Sequence, residues 1–377
     1  MKTLLMFKRA TPPALFIGLL FAVQPHSRLQ AATTESNLHK TFAVKPGGRL
    51  VMEVDRGSID IVTSERDDVQ VEVTRKVTRA SAAKAAEIFA AHEVTFDQDG
   101  DRVGVHAKVK KDAQSWFNRG SQNLQVDYHV LAPRQFSLEL RTAGGEIAST
   151  DVEGSVKAST AGGRLKFKNV KGPFDGDTSA GEIRLDSVSG RVTARTSGGS
   201  IEMGELGSDA VATTAAGSIT IGTARAGLTA KTSGGSIDLG ECAGPAELRT
   251  AAGSIRVKSA NARLDANTSG GSITIDDARD TVIAHTAAGS ITASFSAQPH
   301  EDCQLTTSAG GIDLRLAPTL TFDVEARTSG GDVTTELPIV STVVGRQHSG
   351  VLQGKLNGGG KTLLLKTSAG NISLRKR

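Results

Sequence analysis

The sequence contains few aromatic residues: Phe, Trp and Tyr together make up 4% of its 377 residues, with a single Trp and a single Tyr. A bulky core like that of a typical enzyme is therefore not expected. Glycine is abundant instead, with 42 residues, so a thin interior must be filled by Val, Ile, Leu, Ala and Thr. The formal net charge is +4, and acidic and basic residues are interleaved. This balance permits an anionic partner without implying one.

Cysteine is scarce as well, with two residues in the chain. Cys242 lies in a predicted loop eight residues before Thr250, whereas Cys303 lies four residues before Thr307. Stacked repeats bring equivalent positions together, and these two positions are not equivalent. The sequence therefore predicts two free thiols rather than a disulfide, even in an oxidising compartment.

Beyond the N-terminus, no apolar run is long enough to cross a membrane. Lys2, Lys8 and Arg9 precede an apolar run at residues 14–23, which is too short for a bilayer span of about 20 residues. This pattern predicts a secretory signal peptide over residues 1–32, cleaved near Ala31 or Ala32. An uncleaved membrane anchor is the alternative. The chain is expected to be exported to the periplasm or the cell surface of a bacterium.

An internal repeat dominates the sequence. The motif Thr-[Ser/Ala]-[Ala/Gly]-Gly-x-[Ile/Leu/Val] recurs in steps of 18 residues and then returns at wider steps. Its copies begin at Thr142, Thr160, Thr178, Thr196, Thr214, Thr232, Thr250, Thr268 and Thr286, and later at Thr307, Thr328 and Thr367. Such a regular period is typical of a solenoid, in which stacked units share one continuous core.

Apolar residues alternate with polar ones on both sides of each motif, which predicts two strands per unit. Ile237 and Leu239 follow one motif, and Leu228 and Ala230 precede it. These side chains are expected to face inward, and residues between them, such as Asp238, are expected to face outward. Ser-Gly-Gly and Ala-Ala-Gly motifs alternate, so we favour a 36-residue coil of two units, with an 18-residue coil as the alternative.

The motif itself is expected to form a corner between the two strands. Its glycines allow a positive φ and let neighbouring coils approach closely. Its threonine hydroxyl is expected to form a ladder or to bond a corner amide. The predicted corner residues are Thr196, Gly198, Gly199, Thr214, Gly217, Thr232, Gly234, Gly235, Thr250, Gly253, Thr268, Gly270 and Gly271.

The stretch before the repeats has a different pattern. Strands are predicted over residues 49–54, 58–62, 69–77, 103–109, 125–131 and 136–141. Residues 80–91 predict a short amphipathic helix with Ala86, Phe89 and Ala90 on one side, and residues 112–123 predict a surface loop. We therefore divide the chain into the signal peptide, a β-rich cap region at residues 38–140 that covers the solenoid end, and β-solenoid repeats at residues 141–377.

The sequence resembles the bacterial putative-adhesin family, a domain of unknown function with a β-solenoid fold, similar to autotransporter-adhesin head domains. The resemblance rests on residues 44–50 (Val-Lys-Pro-Gly-Gly-Arg-Leu), residues 57–61 (Gly-Ser-Ile-Asp-Ile), residues 126–133, the Ser-Gly-Gly-x-Ile copies and residues 370–372. It implies an all-β, parallel β-solenoid, right-handed, in the cell envelope. It supplies no catalytic residues.

Other motifs favour structural interpretations. Residues 97–101 (Asp-Gln-Asp-Gly-Asp) lack the spacing of a calcium loop and predict a tight β-turn. Asp276, Asp277, Arg279 and Asp280 are the best candidates for a polysaccharide-cleaving cluster, but they fall in a predicted solvated loop. The glycine turns open strands rather than helices, which argues against phosphate binding. The eight His residues show no metal-ligand spacing.

We therefore expect a non-enzymatic envelope protein, an adhesin or binding scaffold, that presents a rigid β-solenoid surface. No catalytic, cofactor-binding or metal-binding residue and no cofactor is predicted. The partner is unknown; an envelope glycan or protein is the candidate, and no nucleic acid is expected. Two alternatives remain: a polysaccharide-active β-helix enzyme, and a periplasmic component of envelope-stress sensing.

Overall fold

The computed structural model describes residues 33–111, 113, 124–341 and 349–377. The predicted signal peptide therefore lies outside the described residues, as does nearly all of the predicted loop at residues 112–123. The N-terminal elements are β1 (Thr34–Ala43), β2 (Arg49–Val54), β3 (Ser58–Ser64), β4 (Asp68–Val77), α1 (Ala82–Ala91), β5 (His92–Asp99), β6 (Arg102–Val109) and β7 (Leu124–Pro133).

Twenty strands then follow in regular alternation. They are β8 (Ser137–Thr142), β9 (Ile147–Val152), β10 (Val156–Thr160), β11 (Leu165–Val170), β12 (Phe174–Thr178), β13 (Ile183–Val188), β14 (Val192–Thr196), β15 (Ile201–Leu206), β16 (Ala210–Thr213), β17 (Ile219–Ala224), β18 (Leu228–Lys231), β19 (Ile237–Cys242), β20 (Ala246–Arg249), β21 (Ile255–Ala260), β22 (Leu264–Asn267), β23 (Ile273–Ala278), β24 (Val282–Thr286), β25 (Ile291–Phe295), β26 (Cys303–Thr307) and β27 (Ile312–Leu316).

Six strands complete the chain: β28 (Phe322–Gly330), β29 (Val333–Thr335), β30 (Ile339–Ser341), β31 (Val351–Leu356), β32 (Lys361–Ala369) and β33 (Ile372–Lys376). The protein is thus an all-β, parallel β-solenoid, as the sequence predicted. Within the described residues, no helix is both long and apolar enough to span a membrane.

Two open sheets run the length of the solenoid. Sheet A has the order β1, β4, β7, β3, then the odd-numbered strands β9 to β27, then β33 and β29. Sheet B follows its pairings from β5 through β6, β2 and β8 to the even-numbered strands β10 to β26, and then through β32, β28 and β31 to β30. Most neighbouring strands are parallel, and the antiparallel pairs lie near the two ends.

One coil contains 18 residues, so the 36-residue coil that we favoured is wrong. Leu165 in sheet A pairs with Ile183, and Val156 in sheet B pairs with Phe174. Each unit of one sheet-B strand, one corner and one sheet-A strand therefore stacks directly on the next unit. The alternation of Ser-Gly-Gly and Ala-Ala-Gly corners runs from coil to coil, so like corners are not neighbours.

The core is a narrow layer of apolar side chains packed between the two sheets. The predicted inward residues are buried: Ile237, Leu239, Leu228 and Ala230 are all at most 3% exposed. A third inward position closes each sheet-A strand and is occupied by residues such as Cys242. Each large aliphatic side chain buried in this way contributes about 1.5–3 kcal/mol, so the stability of the solenoid accumulates coil by coil.

Strands from residues 38–140 and from residues 141–377 share both sheets, so the boundary between the cap region and the repeats stays a prediction. The coil formed by β2 and β3 lies between β6 and β7 on one side and β8 and β9 on the other. Helix α1 contacts β1, β4 and β5 at the N-terminal end. The predicted apolar face of this helix is wrong, because Ala85, Ile88 and Ala91 are its buried residues.

Candidate functional site

The threonine of each corner is buried and bonded in two directions. In the eight coils from Thr160 to Thr286, its Oγ1 donates to a glycine carbonyl of the preceding coil at 2.7–3.2 Å. The same oxygen accepts the N–H of the glycine three residues later at 3.1–3.3 Å. One hydroxyl thus fixes the shape of its own corner and joins it to the next coil.

The fourth motif position places backbone directly on backbone. A Cβ added to Gly235 would lie 2.1 Å from the carbonyl oxygen of Gly217, and a Cβ on Gly253 would lie 2.0 Å from that of Gly235. The same contact repeats at Gly199 and Gly271. Real Cβ atoms do not approach backbone oxygens so closely. A side chain at this position therefore requires adjacent coils to separate.

The expected positive φ at the corner glycines is wrong. Among the described glycines, positive φ occurs at Gly47, Gly57, Gly100, Gly145, Gly358, Gly359 and Gly370. The predicted corner glycines are not in that set. Close approach between coils, rather than a left-handed backbone, therefore explains glycine at the fourth motif position.

The third motif position has more room. Added Cβ atoms would lie 3.5 Å from the nearest backbone atom at Gly198 and 3.1 Å at Gly234 and Gly270. Alternate coils have alanine at this position, for example Ala216. The corner residues Thr196, Thr214, Thr232, Thr250 and Thr268 are all buried and stand above one another in successive coils.

A second ladder was missed in the sequence. The Oγ of Ser200 accepts the N–H of Ser218, and the pattern continues through Ser236, Ser254 and Ser272 at 3.2–3.3 Å. The signal was available, because serine follows the glycine in six successive motifs, those that begin at Thr196 to Thr286. Together with threonine it gives these corners two side-chain hydroxyl ladders.

The two thiols are free and buried, as the sequence predicted. Cys242 is the last residue of β19 rather than part of a loop. Burial raises the pKa of both Cys242 and Cys303 to about 11. Both groups therefore remain protonated and poorly nucleophilic at neutral pH.

The candidate acidic cluster at residues 276–280 is engaged in ion pairs. Asp276 pairs with Arg256 at 3.0 Å, and Asp277 pairs with Arg279 at 2.8 Å. Both aspartates belong to strand β23 rather than to the predicted loop. Asp280 accepts hydrogen bonds from the backbone N–H groups of Thr281 and His300. These carboxylates are not arranged as an acid–base pair around an open position.

The predicted turn at residues 97–101 joins β5 and β6 as a hairpin, with Asp99 opposite Arg102 and Gly100 at φ +58°. Asp97 is held by Arg102 at 2.8 Å and by His106 at 3.0 Å. Across the described ranges, no group of three or more His, Cys, Asp or Glu side chains is placed to hold a metal ion.

A buried polar contact ties the N-terminal end together. His92, which follows α1, places Nε2 3.5 Å from Oδ1 of Asp55 in the turn after β2. Burial acts to raise the pKa of Asp55, but the His92 contact and the N–H of Val109 outweigh it and hold this pKa below 3.8. The contact joins the end of α1 to the first coil.

A broad depression of about 520 Å³ lies on the outer face of sheet B. Its lining residues come from four successive coils and are Asp209, Ala210, Val211, Gly227, Leu228, Thr229, Pro245, Ala246, Glu247, Arg249, Arg263 and Asp265. We call it the sheet-B groove. The strands beneath it (β16, β18, β20 and β22) are the four-residue strands of this sheet, whereas the preceding β14 has five residues.

The sheet-B groove has an apolar centre and a charged rim. Val211 is 38% exposed and is one of two large hydrophobic side chains that are exposed within the described residues. On the rim, Glu247 pairs with Arg249 at 2.6 Å and with Lys231 at 3.2 Å. Sequence reasoning missed this groove, although Val211 interrupts an outward row that is mostly polar.

Comparison with known proteins gives a family match for about half of the chain. Residues 191–375 match the family model described as Toastrack DUF4097. No curated protein matches the sequence.

Several solved structures are similar at low identity. A putative cell adhesion protein from Clostridium sporogenes is 9% identical, with 91% of this chain and 100% of that chain covered and a TM-score of 0.19. A putative adhesin from Parabacteroides distasonis is 12% identical, with 74% and 97% covered and a TM-score of 0.36. A putative lipid binding protein from the same species is 15% identical, with 74% and 94% covered and a TM-score of 0.31. Over residues 191–375, this β-solenoid chain is thus similar to the Toastrack DUF4097 family.

Proposed function

We propose that this chain is an exported, non-enzymatic binding scaffold of the bacterial cell envelope, in the manner of an adhesin. The observation that carries the proposal is the regularity of the solenoid. Two hydroxyl ladders and unbroken backbone pairing hold successive coils in one register. Such a framework keeps its outward side chains at fixed spacings, which lowers the entropy cost of binding an extended partner.

The chemistry of the outer faces supports binding rather than catalysis. Charged side chains pair across neighbouring coils, as in Arg184 with Glu202 at 3.0 Å and Lys171 with Glu153 at 2.7 Å. A general acid or base needs a carboxyl group whose pKa is shifted toward neutral pH. The described carboxyl groups with a shifted pKa, such as Asp277 and Asp280, are shifted below their usual value instead.

Export is the part of the proposal that rests on sequence. We propose that residues 1–32 direct secretion and are removed, and that the remaining chain stays in the periplasm or on the cell surface. Similar solved structures include a putative adhesin and a putative lipid binding protein, and these descriptions apply to those proteins. The proposal for this chain needs its own localisation experiment.

Protease shaving of intact cells, combined with fractionation, tests this proposal. Digestion of the chain on intact cells supports a surface adhesin. Protection until the outer barrier is opened supports a periplasmic scaffold. Recovery of the full-length chain, with residues 1–32 attached, in the cytoplasmic fraction would contradict the proposal.

A further inference from the structure

We propose that the sheet-B groove binds a neutral, hydroxyl-rich glycan chain that lies along the stacking axis of the solenoid. This inference rests on the proposed binding role and names the ligand class. The argument has three parts: the apolar centre of the groove, the balance of charge on its rim and the spacing of its side chains.

The centre of the groove is built to accept an apolar surface. Val211 projects outward where the equivalent residue of the next coil, its ladder partner Thr229, is polar. Gly227 leaves the loop beside it without a side chain, and Asp209 accepts the N–H of Gly227 at 3.0 Å. Pro245 continues this floor in the following coil. A pyranose ring presents C–H groups on its faces, and these can pack on Val and Pro side chains.

The charges on the rim cancel. The acidic residues on or beside the groove are Asp209, Glu247, Asp265 and Glu301, and the basic residues are Arg191, Lys231, Arg249 and Arg263. The numbers of carboxylates and cations are thus equal, so the groove as a whole offers little net attraction to a polyanion or a polycation. The pattern favours an uncharged ligand.

The paired charges still offer hydrogen bonds to a ligand. A guanidinium has five N–H donors in a fixed plane, and Glu247 uses one edge of Arg249 through Nε at 2.6 Å. Both side chains remain partly open to solvent, at 55% for Arg249 and 33% for Glu247. Fixed donors and acceptors of this kind suit vicinal hydroxyl groups.

The spacing along the groove separates a glycan from a peptide. Val211, Thr229, Glu247 and Asp265 occupy one outward position in four successive coils, and neighbouring strands lie about 4.7–4.9 Å apart. An extended peptide repeats its side chains on one face every 6.6 Å or so, which does not match. One pyranose residue of an extended chain advances by nearly the same length as one coil.

Titration calorimetry with the purified chain tests the proposal. The probes are cellohexaose and chitohexaose, which are neutral, and hexagalacturonate, which has a similar length and is anionic. At least one neutral hexasaccharide should bind, and hexagalacturonate should bind more weakly. Val211→Glu places a charge in the apolar centre and should weaken binding at least tenfold. Thr220→Glu, an equal change of charge on exposed sheet A, should leave the affinity unchanged.

Thermal unfolding of both variants shows whether they keep the fold. The proposal is overturned if neither neutral probe binds, if hexagalacturonate binds more tightly than both, or if Val211→Glu binds like the unchanged protein. Binding of envelope peptides that is lost in Val211→Glu would also overturn it, in favour of a protein partner. None of these results depends on where the chain resides, so a failure here is distinguishable from a failure of the proposed envelope function.

Discussion

Adding one methyl group to the corner should destabilise the protein strongly at one glycine and change its stability little at the neighbouring glycine. In Gly235→Ala, the new Cβ would lie 2.1 Å from the oxygen and 2.4 Å from the carbon of the Gly217 carbonyl. The atoms that the new Cβ would contact belong to the backbone, which cannot adopt another rotamer as a side chain could. In Gly234→Ala, the nearest atom is the oxygen of Ala216 at 3.1 Å, and a shift of a few tenths of an ångström is enough.

The expected destabilisation follows from these distances. Overpacking a tight site costs about 1–3 kcal/mol, and Gly235→Ala should reach the upper part of that range. Separation of the coils also stretches the bond from Thr250 Oγ1 to the oxygen of Gly235, which is 2.7 Å long. Gly234→Ala should change the free energy of unfolding by less than about 0.5 kcal/mol, as most exposed substitutions do.

Urea denaturation followed by circular dichroism measures the difference. Long repeat arrays can unfold in several steps, so the midpoint of the first transition is compared between the two variants. Equal midpoints for Gly235→Ala and Gly234→Ala would refute the argument that backbone contact between coils requires glycine at the fourth motif position.

Three further predictions concern the threonine ladder, the two buried thiols and the carboxyl group of Asp55. Thr250→Val removes a hydroxyl that serves two backbone partners and should destabilise the protein by about 1–3 kcal/mol, whereas Thr220→Val on the outer face should change the urea midpoint little. Because burial raises the pKa of Cys242 and Cys303 to about 11, Ellman's reagent at pH 8 should label neither thiol in the native protein and both in urea; fast native labelling contradicts their burial. Asp55 has a pKa below 3.8 in the folded protein, so its stabilising contribution is complete well above pH 3.8 and is lost as the pH falls through the folded value. Asp55→Asn should therefore flatten the loss of thermal stability below pH 4, and an unchanged acid profile would contradict the contact with His92.

The 18-residue period and the inward rows could be predicted because both follow from local patterning. An inward position such as Ile237 repeats its chemistry in every unit, and alternation within a strand fixes which face is buried. Coil length was harder to predict. Alternate Ser-Gly-Gly and Ala-Ala-Gly corners suggested that like stacks on like. The two kinds of corner stack on each other instead, and even a Cβ added to Gly234 would lie 3.1 Å from the oxygen of Ala216, so the alternation carries no information about coil size.

The order of the last coils could not be read from the sequence. The motifs at Thr307, Thr328 and Thr367 suggest that coils stack in chain order, yet β32 inserts between β26 and β28. Thr367 donates to Gly310, and Thr328 donates to Gly370. The antiparallel pairing of β28 with β31 accompanies this order.

The helix face was mispredicted for a related reason. Each buried residue (85, 88 and 91) is the immediate sequence neighbour of a predicted one (86, 89 and 90), and most of the segment is alanine. Little in the sequence distinguishes the two faces apart from Ile88, which is buried. The sheet-B groove, in contrast, could in principle have been predicted from the sequence. Val211 lies in an outward row that is mostly polar and Gly227 in a loop row of mixed residues, but their proximity depends on the coil length that was mispredicted.

The central claim is that the outer faces of this solenoid bind an envelope component without altering it. Co-sedimentation of the labelled chain with envelopes isolated from the producing cells tests it, with the supernatant assayed for released sugar. The account predicts binding that saturates with protein concentration and no sugar release over the level of envelopes alone. Binding that fails to saturate, or sugar released in proportion to the added protein, would contradict it.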